Sequence, residues 1–379
     1  MAGLKVLVFN AGSTSFKASL YEIDEAADEG SAPVGLLWED ASGSSDGLTK
    51  QLATLWSGPK KILGGPGEID CIGHRVVFGG ARLISTTRVD AEVHAHLAEM
   101  DEYAPAHNDA ALVGMDAATR IFGDAIPQFA VFDSAFHRSM PAAAYTYAGP
   151  SAWVEQGIRR YGFHGLSHRY TSHRAARLMN RAGGLRIVTC HLGGGCSLAA
   201  VHDGKSVDTT MGFTPLDGIP MARRSGTLDP GILIHLLRHG GKTVDEIDHL
   251  LNHDSGLAGL SGTSGGMREV LAAVDNADDR AVVALEVFVH RVRQGIASMA
   301  ASMGGIDGLV FSGGVGENSD RVRSLICSGL FFLGITLDEL KNETSKGERA
   351  ISADGSAVPV FVIPAEENWI IAQECLRAS

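Results

Sequence analysis

Short apolar runs that end in small or polar residues recur along this chain. The runs at 6–9 and 187–190 each enter a small, polar turn containing glycine and continue as a second strand-like stretch, which predicts two β-hairpins. A Gly/Ser-rich stretch at 41–47 predicts a surface loop followed by a helix. Further apolar runs predict buried strands at 69–77, 128–132, 308–312 and 358–363. Functional side chains often follow the ends of such strands, so the polar residues there are candidates for a site.

Helical signals are frequent in the second half of the chain. Asp229 is a candidate N-cap with Pro230 at the first helical position, and the helix is predicted to extend through residue 238. A capping box opens another predicted helix over 243–252. A broad apolar face predicts a long helix over 278–303, and a terminal helix is predicted over 366–376.

Size and composition favour a globular protein of two domains. The chain has 379 residues, is 45% hydrophobic and contains 47 glycines, which is typical of a folded protein with many tight turns. Weak similarity between the two halves suggests a duplication. The formal net charge of −12 argues against a nucleic-acid or membrane partner, because those partners need a basic surface. An anionic substrate would have to meet locally placed arginines.

The location expected from the sequence is the cytoplasm. No apolar run is long enough to span a membrane, and the start of the chain carries no signal-peptide pattern. The five cysteines are scattered without a Cys-x-x-Cys pair, which favours small core residues in a reducing compartment.

The two turns, within 10–17 and 190–197, also suggest that the protein binds phosphate groups. Glycine adopts unusual backbone angles and presents no side chain, so backbone N–H groups in such turns can approach a phosphate closely. One such turn is weak evidence, since it is commonly just a tight turn. Two of them suggest a nucleotide held between two related domains, and a phosphotransfer enzyme is the first hypothesis.

A set of longer motifs points to one protein family more specifically than either turn does. In chain order they are Asn10–Lys17, Gly73–Gly80, Phe132–His137, Arg160–Gly165, His191–Gly195, Met211–Gly226 and Gly313–Asn318. In these motifs and their order, the chain resembles the acetate kinase family, the short-chain acyl kinases of the actin-like and sugar-kinase-like ATPase superfamily. The resemblance runs from Val6 to Gln373.

The resemblance implies a fold and an activity. The fold is α/β, with two ribonuclease-H-like (actin-like ATPase) domains and a nucleotide cleft between them. We place the N-terminal domain at 1–134, completed by the C-terminal helix 365–379, and the nucleotide-binding domain at 135–364. The activity implied is reversible, in-line transfer of the γ-phosphoryl group from Mg-ATP to a short-chain carboxylate, acetate or propionate, giving acyl phosphate and ADP. Homodimers are usual in the family.

The resemblance assigns catalytic roles to Asp133, His164 and Arg224. Arginine suits the reaction because a planar, permanently charged guanidinium group matches the charge on phosphoryl oxygens. His164 would donate a hydrogen bond to a phosphoryl oxygen. A carboxylate substrate is already ionised near pH 7, so no general base is needed, and Asp133 would position a magnesium-bound water or an arginine. The alternative for Asp133 is a helix N-cap at a strand end.

The remaining site residues also follow from the resemblance. The substrate-binding positions are Arg75, Val77, Ala106, Phe163 and Pro215. The nucleotide positions are Lys17, His191, Gly193, Gly194, Gly195, Arg268, Gly314, Gly316, Glu317 and Asn318. Asn10 and Glu367 would contact Mg²⁺, or Mn²⁺ in its place, with Glu366 as the fallback for Glu367.

The chain departs from the family pattern at positions around the acyl group. Phe78 replaces a histidine, Ala106 a leucine and Leu166 a threonine. Since that leucine lines the acyl pocket, Ala106 enlarges the pocket, and we hypothesise that acetate is not the preferred acid. The side chains of Phe78 and Leu166 could instead fill the space that Ala106 leaves in the pocket.

Two further departures lie among the nucleotide positions. Gly266 replaces an aspartate near the ribose, and Arg223 replaces a threonine, which suggests weaker discrimination of base and sugar or a different phosphoryl donor. Two other functions stay open at this stage. One is a kinase for butyrate or larger acids, and the other is a nucleotide-binding regulatory homologue with weak or no turnover.

Overall fold

The computed structural model describes residues 3–11, 16–24, 28–43, 52–57, 61–100, 108–181, 183–344 and 347–379. The chain divides into two compact units. Unit 1 comprises Met1–Arg138, Phe163–Tyr170 and Glu366–Ser379, whereas unit 2 comprises Ser139–Gly162 and Thr171–Ala365. Unit 1 therefore takes residues from both ends of the chain.

Both units combine strands and helices. The strands are β1 (Leu4–Ala11), β2 (Phe16–Ile23), β3 (Leu36–Gly43), β4 (Cys71–Val76), β5 (Thr87–Arg88), β6 (Gln128–Phe132), β7 (Arg186–Leu192), β8 (Cys196–His202), β9 (Lys205–Thr209), β10 (Gly308–Ser312), β11 (Arg349–Ala350) and β12 (Val360–Val362). The α-helices are α1 (Ala91–Glu99), α2 (Asn108–Phe122), α3 (Ala142–Tyr145), α4 (Ala152–Glu155), α5 (Gly165–Met179), α6 (Pro230–His239), α7 (Val244–His253), α8 (Gly256–Ser261), α9 (Met267–Asp275), α10 (Asp279–Ser302), α11 (Gly313–Asn318), α12 (Asp320–Cys327), α13 (Glu339–Thr344) and α14 (Glu367–Ala378).

The two sheets share one topology. In unit 1 the strand order is β3-β2-β1-β4-β6-β5, and in unit 2 it is β9-β8-β7-β10-β12-β11. Each sheet has an antiparallel meander, then two strands parallel to its first strand, then a short antiparallel edge strand. The repeated order agrees with the duplication that the sequence suggests.

Parallel pairing decides where polar strand ends meet in unit 1. Strands β1, β4 and β6 are neighbours and run parallel, so their carboxyl ends share one edge of the sheet. Asn10 is near the end of β1, Arg75 is near the end of β4, and Asp133 directly follows β6. Three side chains far apart in sequence are thus brought to the same edge.

Helices cover both faces of the sheet in unit 1. Leu7 and Phe9 share one apolar cluster with Ala117 and Ala118 of α2. On the other face, α14 approaches β4 so closely that a Cβ added to Gly73 would lie 2.6 Å from Cγ2 of Ile371. A central strand that is buried on both faces needs a continuous apolar sequence, and β1 has one.

The predicted elements agree with the structure except near residue 41. Both predicted hairpins form, as β1–β2 and β7–β8, although residues 12–15 of the first turn lie outside the described residues. The side chain of Asp229 caps α6, and the capping box at Thr243 is present. The prediction of a loop from residue 41 was wrong in part, because 41–43 continue β3 in pairing with β2. Within the described ranges, no helix is long and apolar enough to cross a membrane.

Candidate active site

Arg75 and Asp133 form a buried ion pair at the sheet edge of unit 1. Nη2 of Arg75 donates to Oδ2 of Asp133 at 2.7 Å, and Nε donates to the same oxygen at 3.1 Å. The two side chains are only 11% and 1% exposed. A planar guanidinium that donates twice to one carboxylate is held in a fixed orientation. The hydrogen bonds to Asp133 therefore fix the orientation of the Arg75 side chain.

Asn10 and Glu367 complete this cluster. Nη1 of Arg75 donates to Oδ1 of Asn10 at 3.0 Å and lies 3.3 Å from Oε2 of Glu367. Nδ2 of Asn10 donates to the same Glu367 oxygen at 2.9 Å. Helix α14 starts after Glu366, whose φ of 42° lies in the left-handed region. The sharp turn there presents Glu367, rather than the fallback Glu366, to Asn10.

Arg75 attracts the two carboxylates of the cluster, whereas Asp133 and Glu367 repel each other. Burial alone would lower the pKa of Arg75, but the carboxylates of Asp133 and Glu367 outweigh it and raise that pKa. Burial raises the pKa of Asp133, while Arg75 and the backbone N–H of His164 oppose the rise. A buried charge needs such partners, and Arg75 remains a cation throughout the pH range of a cell.

His164 lies beside Asp133 because the backbone turns sharply there. Its φ is 56°, an uncommon angle for a residue with a side chain. The next residue, Gly165, donates its backbone N–H to the carbonyl oxygen of Asp133 at 3.0 Å. A Cβ at Gly165 would lie 2.0 Å from that oxygen, so only glycine fits. The motif 162–165 thereby joins the strand end that carries Asp133.

Apolar side chains lie next to this cluster in the sequence and are buried in unit 1. Val77, Phe78, Phe163 and Leu166 are each at most 5% exposed. The rings of Phe78 and Phe163 lie 6.0 Å apart between centroids. Ala106, the fifth predicted pocket position, lies outside the described residues.

In unit 2, two glycine-rich turns lie side by side. Strands β7 and β10 are parallel neighbours, with His191 paired to Ser312, so the turns that follow them share one sheet edge. A Cβ at Gly193 would lie 3.8 Å from the backbone N of Gly314. Gly194 and Gly314 have open space where a side chain would be, so a ligand can reach their backbone N–H groups.

Other predicted nucleotide residues hold these turns in place. Oε1 of Glu317 accepts hydrogen bonds from the backbone N–H groups of Gly313 at 3.0 Å and Ala365 at 3.3 Å. Nδ2 of Asn318 donates to the carbonyl oxygen of Gly314 at 2.9 Å. Gly316 is buried, and a Cβ there would lie 3.4 Å from the backbone of Phe311. Their contacts in this structure support the turn.

Arg224 and Arg268 belong to segments that adjoin the same turn. The backbone N–H of Ala222 donates to the carbonyl oxygen of Gly194 at 3.2 Å, and a Cβ at Gly265 would lie 2.1 Å from the carbonyl oxygen of Ala222. Nη1 of Arg224 donates to the carbonyl oxygen of Pro215 at 3.1 Å, and burial lowers the pKa of Arg224.

Lys17 lies in unit 1, exposed on β2, where it pairs with Asn10 across the first hairpin. Residues 12–15, in the turn between them, lie outside the described residues.

The structure shows what surrounds Gly266 and Arg223, the two departures near the nucleotide positions. A Cβ at Gly266 would lie 3.8 Å from Oε1 of Glu269, so a carboxylate is still present beside that position. Nε of Arg223 donates to the carbonyl oxygen of His253 at 2.8 Å.

Arg323 is a residue that sequence reasoning missed. It is 1% exposed, and its guanidinium donates to the carbonyl oxygens of Gly316 and Glu317 at 2.9 and 3.0 Å and to Asn342. Burial lowers its pKa to about 10. Arg323 fixes the last turn of α11, and an arginine in an amphipathic helix gives no signal of this role.

Two units with this shared topology define the class: the chain is a protein of the actin-like fold, with two ribonuclease-H-like α/β bodies. The family follows from a direct comparison. A model described as the Acetokinase family matches residues 37–373, and the chain belongs to that family.

Individual relatives agree with this assignment. An acetate kinase from Gloeobacter violaceus is 46% identical over 98% of both chains. The crystal structure of an acetate kinase from Porphyromonas gingivalis has a TM-score of 0.86 at 36% identity and covers 99% of both chains. A propionate kinase from Francisella tularensis has a TM-score of 0.84 at 36% identity, covering 98% of both chains. The resemblance and fold class expected from the sequence are therefore confirmed.

Proposed function

We propose that this protein is an acyl kinase that transfers the γ-phosphoryl group of ATP to a short-chain carboxylate, acetate or propionate, in a reversible reaction. A carboxylate oxygen forms the new P–O bond, the bond between the γ-phosphorus and the bridging oxygen breaks, and ADP leaves. The observation that carries the proposal is the cluster of Arg75 with Asp133, Glu367 and Asn10, in a chain of the acetokinase family.

The chemistry needs binding and charge stabilisation more than proton transfer. The acid is ionised near pH 7, so Arg75 would bind its carboxylate, and Arg224 would bind the phosphoryl oxygens in the transition state. His164 would donate to one of those oxygens. Asp133 acts through Arg75, which it holds by two hydrogen bonds to one oxygen.

Unit 2 would bind the nucleotide through its adjacent glycine-rich turns. Gly194 and Gly314 leave the backbone accessible, and His191, Gly193, Gly195 and Arg268 belong to the same edge or to segments that adjoin it. The functional domains that we propose are those predicted from the sequence, 1–134 with 365–379 and 135–364.

A divalent cation fits the residues of unit 1. Asn10 and Glu367 offer an amide oxygen and a carboxylate, and Mg²⁺ prefers oxygen ligands, taking few from protein and keeping several waters. Mn²⁺ accepts the same ligand types. When bound, the ion would supply positive charge against the phosphate oxygens, and Asn10 and Glu367 would hold it.

The other functions considered from sequence are not favoured. Relatives that cover nearly the whole chain are named acetate kinase or propionate kinase, which does not favour a butyrate kinase or a regulatory homologue.

The five cysteines are free and buried, which supports a location in a reducing compartment such as the cytoplasm.

We also propose a homodimer that forms through α6. None of the residues of α6 is buried, and Ile232, Ile234 and Leu237 are each between 45% and 48% exposed. Leu228 and Leu260 are also exposed, and together with Pro230, the first residue of α6, they line a cavity of about 980 Å³. Clustered apolar side chains exposed on one helix are typical of an interaction site, and a second copy is the partner that would cover them.

The function is tested by trapping acyl phosphate with hydroxylamine after incubation with Mg-ATP and acetate, propionate or butyrate. We expect turnover in the wild type and a loss of at least about a hundredfold in Arg75→Ala, the order of magnitude for losing one charge-stabilising group. Arg120→Ala, an exposed arginine on α2, is the matched control and should keep full activity. Failure to form acyl phosphate from any acid, with ATP binding intact, would contradict the proposal.

Replacing ATP by GTP or pyrophosphate in this assay tests which phosphoryl donor the protein uses.

A further inference from the structure

A buried asparagine holds the segment that follows β4. Asn108, the first residue of α2, has no exposed surface. Its Oδ1 accepts a hydrogen bond from the backbone N–H of Phe78 at 3.3 Å, and its Nδ2 donates to the carbonyl oxygen of Phe78 at 2.8 Å. One side-chain amide thus satisfies both backbone groups of a residue that lies just beyond the sheet. Removing it would leave two buried polar groups without these partners.

The ring of Phe78 packs against a second ring that is held in the same way. Phe78 is 2% exposed, and its ring centroid lies 6.0 Å from that of Phe163, with an angle of 50° between the planes. That spacing is within the range of favourable aromatic pairs. Nε2 of His137, also fully buried, donates to the carbonyl oxygen of Phe163 at 3.0 Å. In both phenylalanines, the backbone is therefore fixed by a buried polar side chain.

We propose that Phe78 is a specificity-determining residue for the length of the acid, and that Asn108 is the positioning residue that fixes it. The inference rests on the proposed function and on the family resemblance, which implies that Val77 and Phe163 bind the acyl group. Phe78 follows Val77 directly and packs on Phe163, so it limits how far either residue can move. Since protein interiors are close-packed, a fixed wall accommodates a longer acid only by breaking the hydrogen bonds of Asn108 or His137.

The test measures kcat/KM for acetate, propionate and butyrate in Phe78→Leu and Phe78→Ala. Truncating the ring should raise the ratio of butyrate to acetate by at least about tenfold, the lower limit of what one methylene contributes in an apolar pocket. The KM for ATP should stay unchanged. Phe129→Leu is the matched control, because Phe129 is also buried on unit 1 but lies at the other end of β6 from Asp133. It should keep the wild-type ratio.

The positioning role of Asn108 has its own readout. Asn108→Ala should lower discrimination between acids and raise the KM for the acid, again without a change in the KM for ATP. Asn108→Asp keeps an acceptor for the Phe78 N–H and should retain more discrimination than Asn108→Ala. If Asn108 were only structural, Asn108→Ala would lower the melting temperature and leave the ratio of the acids unchanged.

The outcomes separate this inference from the proposed function. If the wild type forms no acyl phosphate, the proposed function fails. If the wild type is active and folded Phe78→Leu keeps the wild-type ratio of butyrate to acetate, the function stands and this inference is overturned. Circular dichroism establishes folding, and Phe78→Leu decides the matter where Phe78→Ala does not fold.

Discussion

His74 and Arg75 are neighbours on β4 with opposite surroundings, because successive side chains of a strand point to opposite faces. Arg75 meets the carboxylates at the sheet edge. His74 packs edge-on against Phe9 at 5.3 Å between centroids, and its Nε2 lies 2.7 Å from Oε1 of Gln128. Burial lowers the pKa of His74 to about 4, although the hydrogen bond to Gln128 opposes the shift. The imidazole is therefore neutral at pH 7.

The titration of His74 makes stability depend on pH. Between the unfolded pKa of about 6.5 and the folded pKa of about 4, the unfolded chain binds a proton that the folded chain does not. Stability therefore falls as the pH decreases through this window. From pH 7 to pH 5 we expect the wild type to lose on the order of 2 kcal/mol more than His74→Gln, measured by urea unfolding.

The control for this measurement is His290→Gln, since His290 is exposed on α10. It should lose as much stability as the wild type over the same pH interval. Equal losses in the wild type and His74→Gln would show that His74 does not titrate as described.

At the scale of elements, helix α11, which follows β10 directly, begins with two glycines that are glycine for different reasons. Gly313 has a φ of 76°, and a Cβ there would lie 2.8 Å from the carbonyl oxygen of Leu192. Gly314 has an ordinary φ and nothing within 4 Å of its Cβ position. The first glycine is required by the fold, and the second leaves space that a nucleotide would use.

Substituting each glycine by alanine should separate these two requirements. Gly313→Ala should lower the free energy of unfolding by about 1–3 kcal/mol through backbone strain and overlap. Gly314→Ala should leave stability within about 0.5 kcal/mol and raise the KM for ATP, because a methyl group would then stand at the proposed phosphate approach. Thermal melts and ATP saturation curves measure the two effects. A stable Gly313→Ala, or a Gly314→Ala with an unchanged KM for ATP, would contradict this division.

At the scale of the whole molecule, the apolar surface of α6 predicts self-association. Ile234→Lys places a charge on a surface that we propose to be buried between two copies, so it should shift the protein from dimer to monomer in sedimentation analysis. Val34→Lys, at an apolar side chain that is 57% exposed in unit 1, is the control and should remain dimeric. A wild type that is monomeric at micromolar concentration would refute the dimer.

Much of the local structure could be predicted from sequence because it depends on neighbours in the chain. The capping box at Thr243, the N-cap at Asp229 and both hairpins are local patterns of hydrogen bonding and polarity, and each formed as predicted. The strand assigned to 41–43 was missed because its pairing with β2 is a non-local contact that outweighs a local Gly/Ser signal.

For the candidate site, the sequence by itself determined the residue types and the motifs that relate the chain to its family. Asn10, Arg75 and Asp133 were predicted from their motifs, and Glu367 was predicted from the family resemblance with Glu366 as the fallback. Only the tertiary structure decided that they share one cluster. Parallel pairing of β1, β4 and β6 joins the first three, and the return of α14 adds Glu367, which is 357 residues from Asn10 in the sequence. Buried groups such as Asn108 and Arg323 act through backbone atoms of distant residues, and no local pattern in a single sequence records which backbone a side chain will meet.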